Sequence, residues 1–419
     1  MLLATFLIAS CAHREIKSPD EAMRPSATPE IVTDDLNKDS LVKGLRDHID
    51  YFSKRSNTNL KFGKRNVSSF DYVLALKNFL KIIEDNPNPE IWMLFLKENF
   101  DFFEIFGKKE WGEVFMTSYF DPIIKGSRKA TKEYSQALYS VPTDMVVIRM
   151  NDYIKKFPAL EVIKDKLSEQ KSGSGILRGR IRKGSIYGAS AEILPYYDRE
   201  EIDSKDKLKG EKLEICYVNP VDAFVLQIQG SGTVMFEDGT FLKVGYASQN
   251  GHPYVPIGKY MTDVIPLEEM SLQKIESYLA TLNPKEQQSF LNKNPSYVFF
   301  REISSQSITS LGTEVIPGRT IATDPRYFPK GAMAFLQFDK PVFAHTNDET
   351  PQTWQNTQRI VFDQDTGGAI RGPSRLDLYW GKGAEAKQAA GVMKNWGRLY
   401  YLAPKEFYIA QMKVSQIKR

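Results

Sequence analysis

Asp363-Gln-Asp365-Thr-Gly-Gly-Ala-Ile-Arg-Gly-Pro-Ser-Arg-Leu-Asp377-Leu-Tyr-Trp-Gly381 is the densest unusual stretch of the chain. Asp365 begins a glycine-rich turn. Asp377 lies in a short apolar and aromatic run, Leu376 to Trp380, that reads as a strand. A carboxylate among apolar neighbours loses solvation, which disfavours its charged form and raises its pKa. A raised pKa is what a general acid needs at neutral pH. From these residues alone, plain turn and strand-end roles stand beside the chemical one. Gly367-Gly368 and Gly381-Lys382-Gly383 fit neither G-x-G-x-x-G nor Walker spacing, so no nucleotide site is indicated. No G-x-S-x-G elbow occurs, and a serine esterase is not supported.

The pattern around this stretch is mainly β. From about residue 111, the runs Val114–Phe120, Ala223–Gln229, Val234–Phe236, Phe241–Val244 and Met333–Phe338 are short, β-branched or aromatic, and bounded by Gly and Pro, which predicts strands. Asp238-Gly239 between Phe236 and Phe241 is a hairpin signal. Residues 41–110 read as helical. Tyr72, Val73, Leu76, Phe79, Leu80 and Ile83 recur at helical spacing in Ser69–Asp85, with Ser69 as the expected N-cap, and Asn88–Phe100 predicts a second helix. Further helices are expected at 267–280, 284–292 and near Ala384–Lys394.

A length of 419 residues fits two domains with flanking segments. Hydrophobic residues at 42% and charged residues at 26% are ordinary for a globular protein. A net charge of +4 is too weak and too evenly spread to indicate nucleic acid, though it is compatible with an anionic polymer. His13, His48, His252 and His345 are scattered without metal-ligand spacing, so neither a metal nor another cofactor is expected. Cys216, in the strand-like run Leu213–Val218, reads as a buried small apolar side chain.

Leu2–Ser10 is apolar but too short to span a membrane, and it reads as the end of a secretory signal. Ile8-Ala9-Ser10-Cys11 resembles a bacterial lipobox. That likeness implies lipid attachment at Cys11, and Ala12 after it implies an outer-membrane lipoprotein facing the periplasm. Residues 12–40, polar and without periodicity, are expected to form a flexible tether.

Segment 363–398 is similar to the three-aspartate (3D) domain of the membrane-bound lytic murein transglycosylase A (MltA) family. The likeness rests on Asp-Thr-Gly-Gly-Ala-Ile, Arg-Leu-Asp-Leu-Tyr-Trp-Gly-Lys-Gly, Glu385-Ala386, Ala390-Gly391 and Gly397-Arg398. Asp324, in Ile321-Ala322-Thr323-Asp324-Pro325, matches the first aspartate of that domain, and Asp365 and Asp377 match the other two. Ile228-Gln229-Gly230-Ser231-Gly232, Gly245 to His252, Pro256 to Lys259 and Asn294 to Phe300 resemble other family blocks, so the likeness covers roughly residues 111–405. Where the family usually has Phe-Thr-Gly-Tyr-Tyr-x-Pro, this chain has Phe115-Met116-Thr117-Ser118-Tyr119-Phe120-Asp121-Pro122, with Ser118 in place of glycine and Phe120 in place of a tyrosine. No motif accounts for residues 145–175.

The resemblance implies a double-psi β-barrel built from residues 41–127, with its helices, and 304–419. A smaller β domain, 128–303, would be inserted in it, with a groove between the two. It also implies cleavage of the β-1,4 bond between N-acetylmuramic acid and N-acetylglucosamine in peptidoglycan glycan strands. Asp377 would be the acid/base, with Asp365 and Asp324 in support. Thr117, Tyr119, Gln229 and Ser231 are the candidate sugar-binding residues. Alternatives are a hydrolase on the same barrel and a non-enzymatic wall-binding lipoprotein. The sequence names no protein partner.

Overall fold

In the computed structural model the described residues are 16, 18–30, 33–55, 57–107, 110–163, 175–182, 192–304, 307–346 and 348–417. Cys11 and the expected signal segment lie outside them. The strands that build the two main sheets are, in chain order, β1 Glu113–Asp121, β2 Ile123–Ser127, β3 Gln136–Tyr139, β4 Glu214–Val218, β5 Ser231–Phe236, β6 Phe241–Gln249, β7 Val298–Glu302, β8 Thr320–Ala322, β9 Met333–Val342, β10 Thr353–Asp365, β11 Arg375–Lys382 and β12 Lys394–Pro404.

The first sheet closes on itself in the order β12-β9-β10-β8-β11-β1, with β1 pairing back to β12. Two of its pairings, β8 with β10 and β11 with β1, are parallel, and the rest are antiparallel. Side chains alternate across each strand. Val114, Met116, Leu376, Leu378 and Leu399 fill the interior, while Phe115, Thr117, Arg375, Asp377 and Trp396 point outward. The chain leaves this barrel after β1 and returns at β8. Between them, β7-β6-β5-β2-β4-β3 form a second sheet, and a parallel bridge from Ser140 to Phe300 draws its edge strands together. The Asp238-Gly239 hairpin joins β5 to β6, with Gly239 at φ 78°. A ribbon of Met145–Arg149, Ile176–Ile181 and Ile193–Pro195 stands beside this sheet.

Helices α1 Lys38–Ser53, α2 Ser69–Asp85 and α3 Pro89–Asn99 pack on the first barrel through Leu41, Leu45, Tyr72, Phe79, Trp92 and Leu96. Asn37, Ser68 and Asn88 cap them. Ser69, the expected cap, is therefore the first residue inside α2. Three further helices lie at the junction of the two sheets or beside it: α4 Pro220–Gln229, α5 Leu272–Thr281 and α6 Gly383–Val392.

Two expectations are corrected here. Ala223–Gln229 is not a strand but most of α4. Asn219 caps it, Pro220 starts it, and Gly230 at φ 84° ends it. Ala223 to Gln227 are all buried, so the run shows no amphipathic period to separate helix from strand. The described residues in 18–40 do not form a loose tether. Met23–Ser26 pairs with Phe100–Ile105, Asp34 meets the fully buried Arg319 at 2.7 Å, and Asp35 meets Arg359 at 2.6 Å. Polar composition reads as solvated chain. Here two of its carboxylates neutralise arginines buried in the barrel wall.

Candidate active site

Strand register assembles the site. Thr117 of β1 sits opposite Asp377 of β11, Asp377 opposite Ala322 of β8, and Ala322 opposite Asp365 of β10. Directly opposed residues share a face of the sheet. The four therefore form one row on the outward face. With strands about 4.8 Å apart, the Asp365 and Asp377 backbones lie about 10 Å from each other. On the other side of Thr117, Lys394 of β12 continues the row. Its Nζ reaches the carbonyls of Leu267, Glu268 and Met270 at 3.1, 2.6 and 3.0 Å, so this face looks toward the loop that precedes α5 in the inserted segment. From that side Tyr254 comes within electrostatic range of Asp377 and Arg199, and burial pushes its hydroxyl up to about 12.

Asp377 has few polar partners. Thr117 Oγ1 donates to its Oδ1 at 2.8 Å, while Arg375 donates to that same Oγ1 at 3.2 Å. A hydroxyl has one proton, and the arginine's bond to the oxygen leaves that proton for the carboxylate. Burial pushes the Asp377 carboxyl up to about 6. The Thr117 bond and the Arg375 charge pull the other way, and the Asp365 charge adds to the rise.

Asp365 is engaged on both oxygens. Ser310 N–H and Thr366 N–H reach Oδ1 at 3.0 and 2.9 Å, and Tyr119 Oη reaches Oδ2 at 2.9 Å. Burial still raises its pKa above the usual range. Tyr119, itself buried next to two carboxylates, is held far above its usual pKa and stays a donor. Asp324 is fully buried but differently surrounded. Arg326 grips it through Nε and Nη2 at 3.0 and 2.7 Å, and Gly372 N–H donates at 2.8 Å. Burial would raise this carboxyl. The arginine and the backbone donors outweigh that and hold it below its ordinary value.

The site thus brings together Asp377, Asp365 and Thr117 in one row, with Tyr119 reaching Asp365 from the next pair along the strands. It does not include Gln229 or Ser231. Gln229 Oε1 accepts from Phe120 N–H at 2.9 Å, and Ser231 Oγ donates to Asp121 at 2.5 Å. Asp121 also receives Ser307 Oγ at 2.6 Å and Tyr379 Oη at 3.1 Å. Both candidates are therefore engaged where the chain crosses between the two sheets. Ser118, at the family's glycine position, has a buried hydroxyl with no hydrogen-bond partner among the described residues. Sequence reading passed over Arg375, which the period of two places on the same face as Asp377. It also passed over Tyr254 and Ser310, which carry no local signal because they arrive from distant loops.

Comparison with known proteins identifies the two halves of the chain. The family model for the MltA specific insert domain matches residues 115–301, and that for the 3D domain matches 319–403. Membrane-bound lytic murein transglycosylase A of Vibrio cholerae is 32% identical over 203 residues, which are 46% of this chain and 53% of that protein. The match thus spans about half the length of that relative. The protein of the same name in Escherichia coli K12 is 26% identical over 308 residues, 72% of this chain and 69% of its own. Among solved structures, MltA from Neisseria gonorrhoeae is 25% identical with a TM-score of 0.62, covering 88% of this chain and 89% of its own. Escherichia coli MltA with bound chitohexaose shares the fold at 21% identity and a TM-score of 0.66, covering 94% and 98%.

Proposed function

Since the chain belongs to the MltA family, with its insert and 3D domains, we propose that it is a lytic transglycosylase of peptidoglycan with Asp377 as its acid/base. One observation carries the assignment. Asp377 stands in an outward row facing the inserted segment, with a pKa raised by burial to about 6 and, among the described residues, a single hydroxyl as hydrogen-bond donor. Protonated Asp377 gives its proton to the glycosidic oxygen between N-acetylmuramic acid and N-acetylglucosamine. The carboxylate so formed then takes the proton from the muramoyl C6 hydroxyl as that oxygen attacks C1. The C1–O4 bond breaks, a 1,6-anhydromuramoyl end forms, and no water is consumed.

Ordinary glycosidases need a second carboxylate as nucleophile or as base for water. Asp365 is poorly placed for that work, because three donors already occupy its oxygens. This favours intramolecular attack over hydrolysis. Asp365 instead adds the negative charge that helps Asp377 keep its proton. Asp324 serves by fixing the chain between β10 and β11. The relatives are named membrane-bound. We extend this to anchoring through lipid on Cys11 in the outer membrane, which Cys11→Ala and membrane fractionation test. Mass spectrometry of digested sacculi tests the reaction: anhydro ends support it, and reducing ends assign hydrolysis instead.

A further inference from the structure

The register that builds the acid row also builds a second row, one pleat further along the same face. Arg375 of β11 lies opposite Phe115 of β1, and Phe115 lies opposite Trp396 of β12. Each precedes or follows a member of the acid row by two residues: Arg375 and Asp377, Phe115 and Thr117, Trp396 and Lys394. The second row therefore runs parallel to the first, about 7 Å away along the strands. The Phe115 and Trp396 rings form a tilted pair with centroids 5.2 Å apart, and the Arg375 guanidinium covers Phe115 at 4.9 Å. Beneath them Met116, Leu376 and Leu399 are buried, so the rings stand on a rigid floor. Trp396 nonetheless remains 42% exposed. Lys394, on the same face of β12, reaches the loop ahead of α5 in the inserted segment through three carbonyls. The rings thus lie on the groove side of the barrel.

A large exposed aromatic on a floor continuous with the acid invites a ligand with an apolar face and a polar edge. A pyranose ring has both: axial C–H groups lie on its faces and hydroxyls around its rim. An apolar peptide would match the rings but not the Arg375 and Thr117 polar groups beside them. We infer that Trp396 and Phe115 form a sugar-stacking platform, one subsite removed from the bond cleaved at Asp377, with Arg375 holding the Phe115 ring in place and donating along its edge. This rests on the proposed glycan-cleaving function and names where the strand is gripped.

The test separates the platform from the reaction. The inactive Asp377→Asn variant is titrated with a β-1,4-linked N-acetylglucosamine hexasaccharide, alone and combined with Trp396→Ala or Trp396→Phe. Trp396→Ala should weaken binding about tenfold, in the range for truncating an aromatic anchor, and Trp396→Phe should restore most of it. Tryptophan emission should respond to the sugar in Asp377→Asn and lose that response in the Trp396→Phe combination, a readout that a purely structural role would not give. With Asp377 intact, Trp396→Ala should raise KM on peptide-free glycan strands and leave kcat within about twofold, as expected when binding common to ground and transition states is removed. Unchanged binding in a folded Trp396→Ala variant, or an emission response that persists without the indole, overturns the platform. If instead the wild type releases no anhydro ends while the titrations behave as stated, the reaction assignment fails and the platform stands.

Discussion

The surroundings of Asp377 and of Asp324 hold the same residue type at the same end of one barrel, and they push it in opposite directions. Asp377 is backed by apolar strand and met by one hydroxyl, so burial prevails and its proton is held up to about 6. Asp324 has no exposed surface, and burial works to raise its pKa too. Arg326 and Gly372 nevertheless keep it charged. Loss of solvent, which works to raise both carboxyls, therefore does not by itself make an acid. The partners decide which form the site favours. One carboxylate is kept able to give a proton, and the other is a staple between the Asp324–Tyr327 turn and the chain ahead of β11.

The largest expected effect separates the two at once. Asp377→Asn keeps size but can neither give nor take the catalytic proton. General acid–base help is worth roughly 10²–10⁴-fold, and one group serves both steps of the proposed reaction, so the loss in anhydromuropeptide release should reach the upper end. Circular dichroism should show an unchanged fold. A folded Asp377→Asn that still releases anhydro products at near wild-type rate would remove Asp377 from the mechanism.

Asp324→Ala should do the reverse, acting on stability first. It leaves Arg326 without its carboxylate and Gly372 N–H without an acceptor, which should cost about 1–3 kcal/mol, below the penalty for a fully buried pair because Arg326 is partly solvated. Urea midpoints measure this. If Asp324→Ala unfolds at the wild-type midpoint yet loses activity, the residue acts in the chemistry and the contrast drawn above is wrong.

Dependence of stability on pH sharpens the comparison. Asp377 has a folded pKa near 6, above its unfolded value of about 4, so the folded state binds the extra proton between these pH values. Its contribution is fully present below pH 4 and is lost as pH rises through 6. Asp377→Asn should therefore match wild-type stability near pH 4 and exceed it above pH 6 by about 1–3 kcal/mol, the free energy that separates a carboxyl titrating near 6 from one titrating near 4. Asp324 has the opposite sign: its folded pKa is depressed, so its contribution is present above the unfolded value and is lost on acidification. Asp324→Asn should fall furthest behind wild type at neutral pH and approach it in acid. Parallel pH profiles for the two variants would refute the distinction.

How far the sequence could show this follows from what is local. The strand around Asp377, the Asp238-Gly239 hairpin and helix α2 are written in period and turn residues, and they fold as read. Helix α4 is not, because burial on every side erases its period. Ser18 to Asn37 read as tether because the partners of Asp34 and Asp35 lie at the far end of the chain. The three aspartates, and Asp377 as the acid/base among them, could be named from the family likeness, but the physical cause of their different behaviour could not. It depends on Arg326, Gly372, Ser310 and Tyr119, which meet them only through strand register and loop return. Gln229 and Ser231 show the converse. Their motif is plain, yet their side chains are committed to Phe120 and Asp121 at the crossing between sheets.

The finest expected effect concerns Thr117, named from sequence as a sugar contact and found bonded to the acid. Its hydroxyl takes a hydrogen bond from Arg375 and gives its proton to Asp377 Oδ1. Oδ1 is thereby kept as an acceptor, and the transferable proton belongs on Oδ2. Thr117→Val keeps shape and removes this bond, one of the two influences that lower the Asp377 pKa. The carboxyl should therefore hold its proton to higher pH, moving the alkaline limb of the kcat/KM profile upward by a fraction of a pH unit to about one, as a single hydrogen bond of about 1 kcal/mol permits. At the optimum the rate should fall only severalfold, from a less fixed proton position. If Thr117 were chiefly a sugar contact, the same change would raise KM and leave the pH limb where it is. The movement of the limb, read at saturating and at low substrate, decides between the two roles.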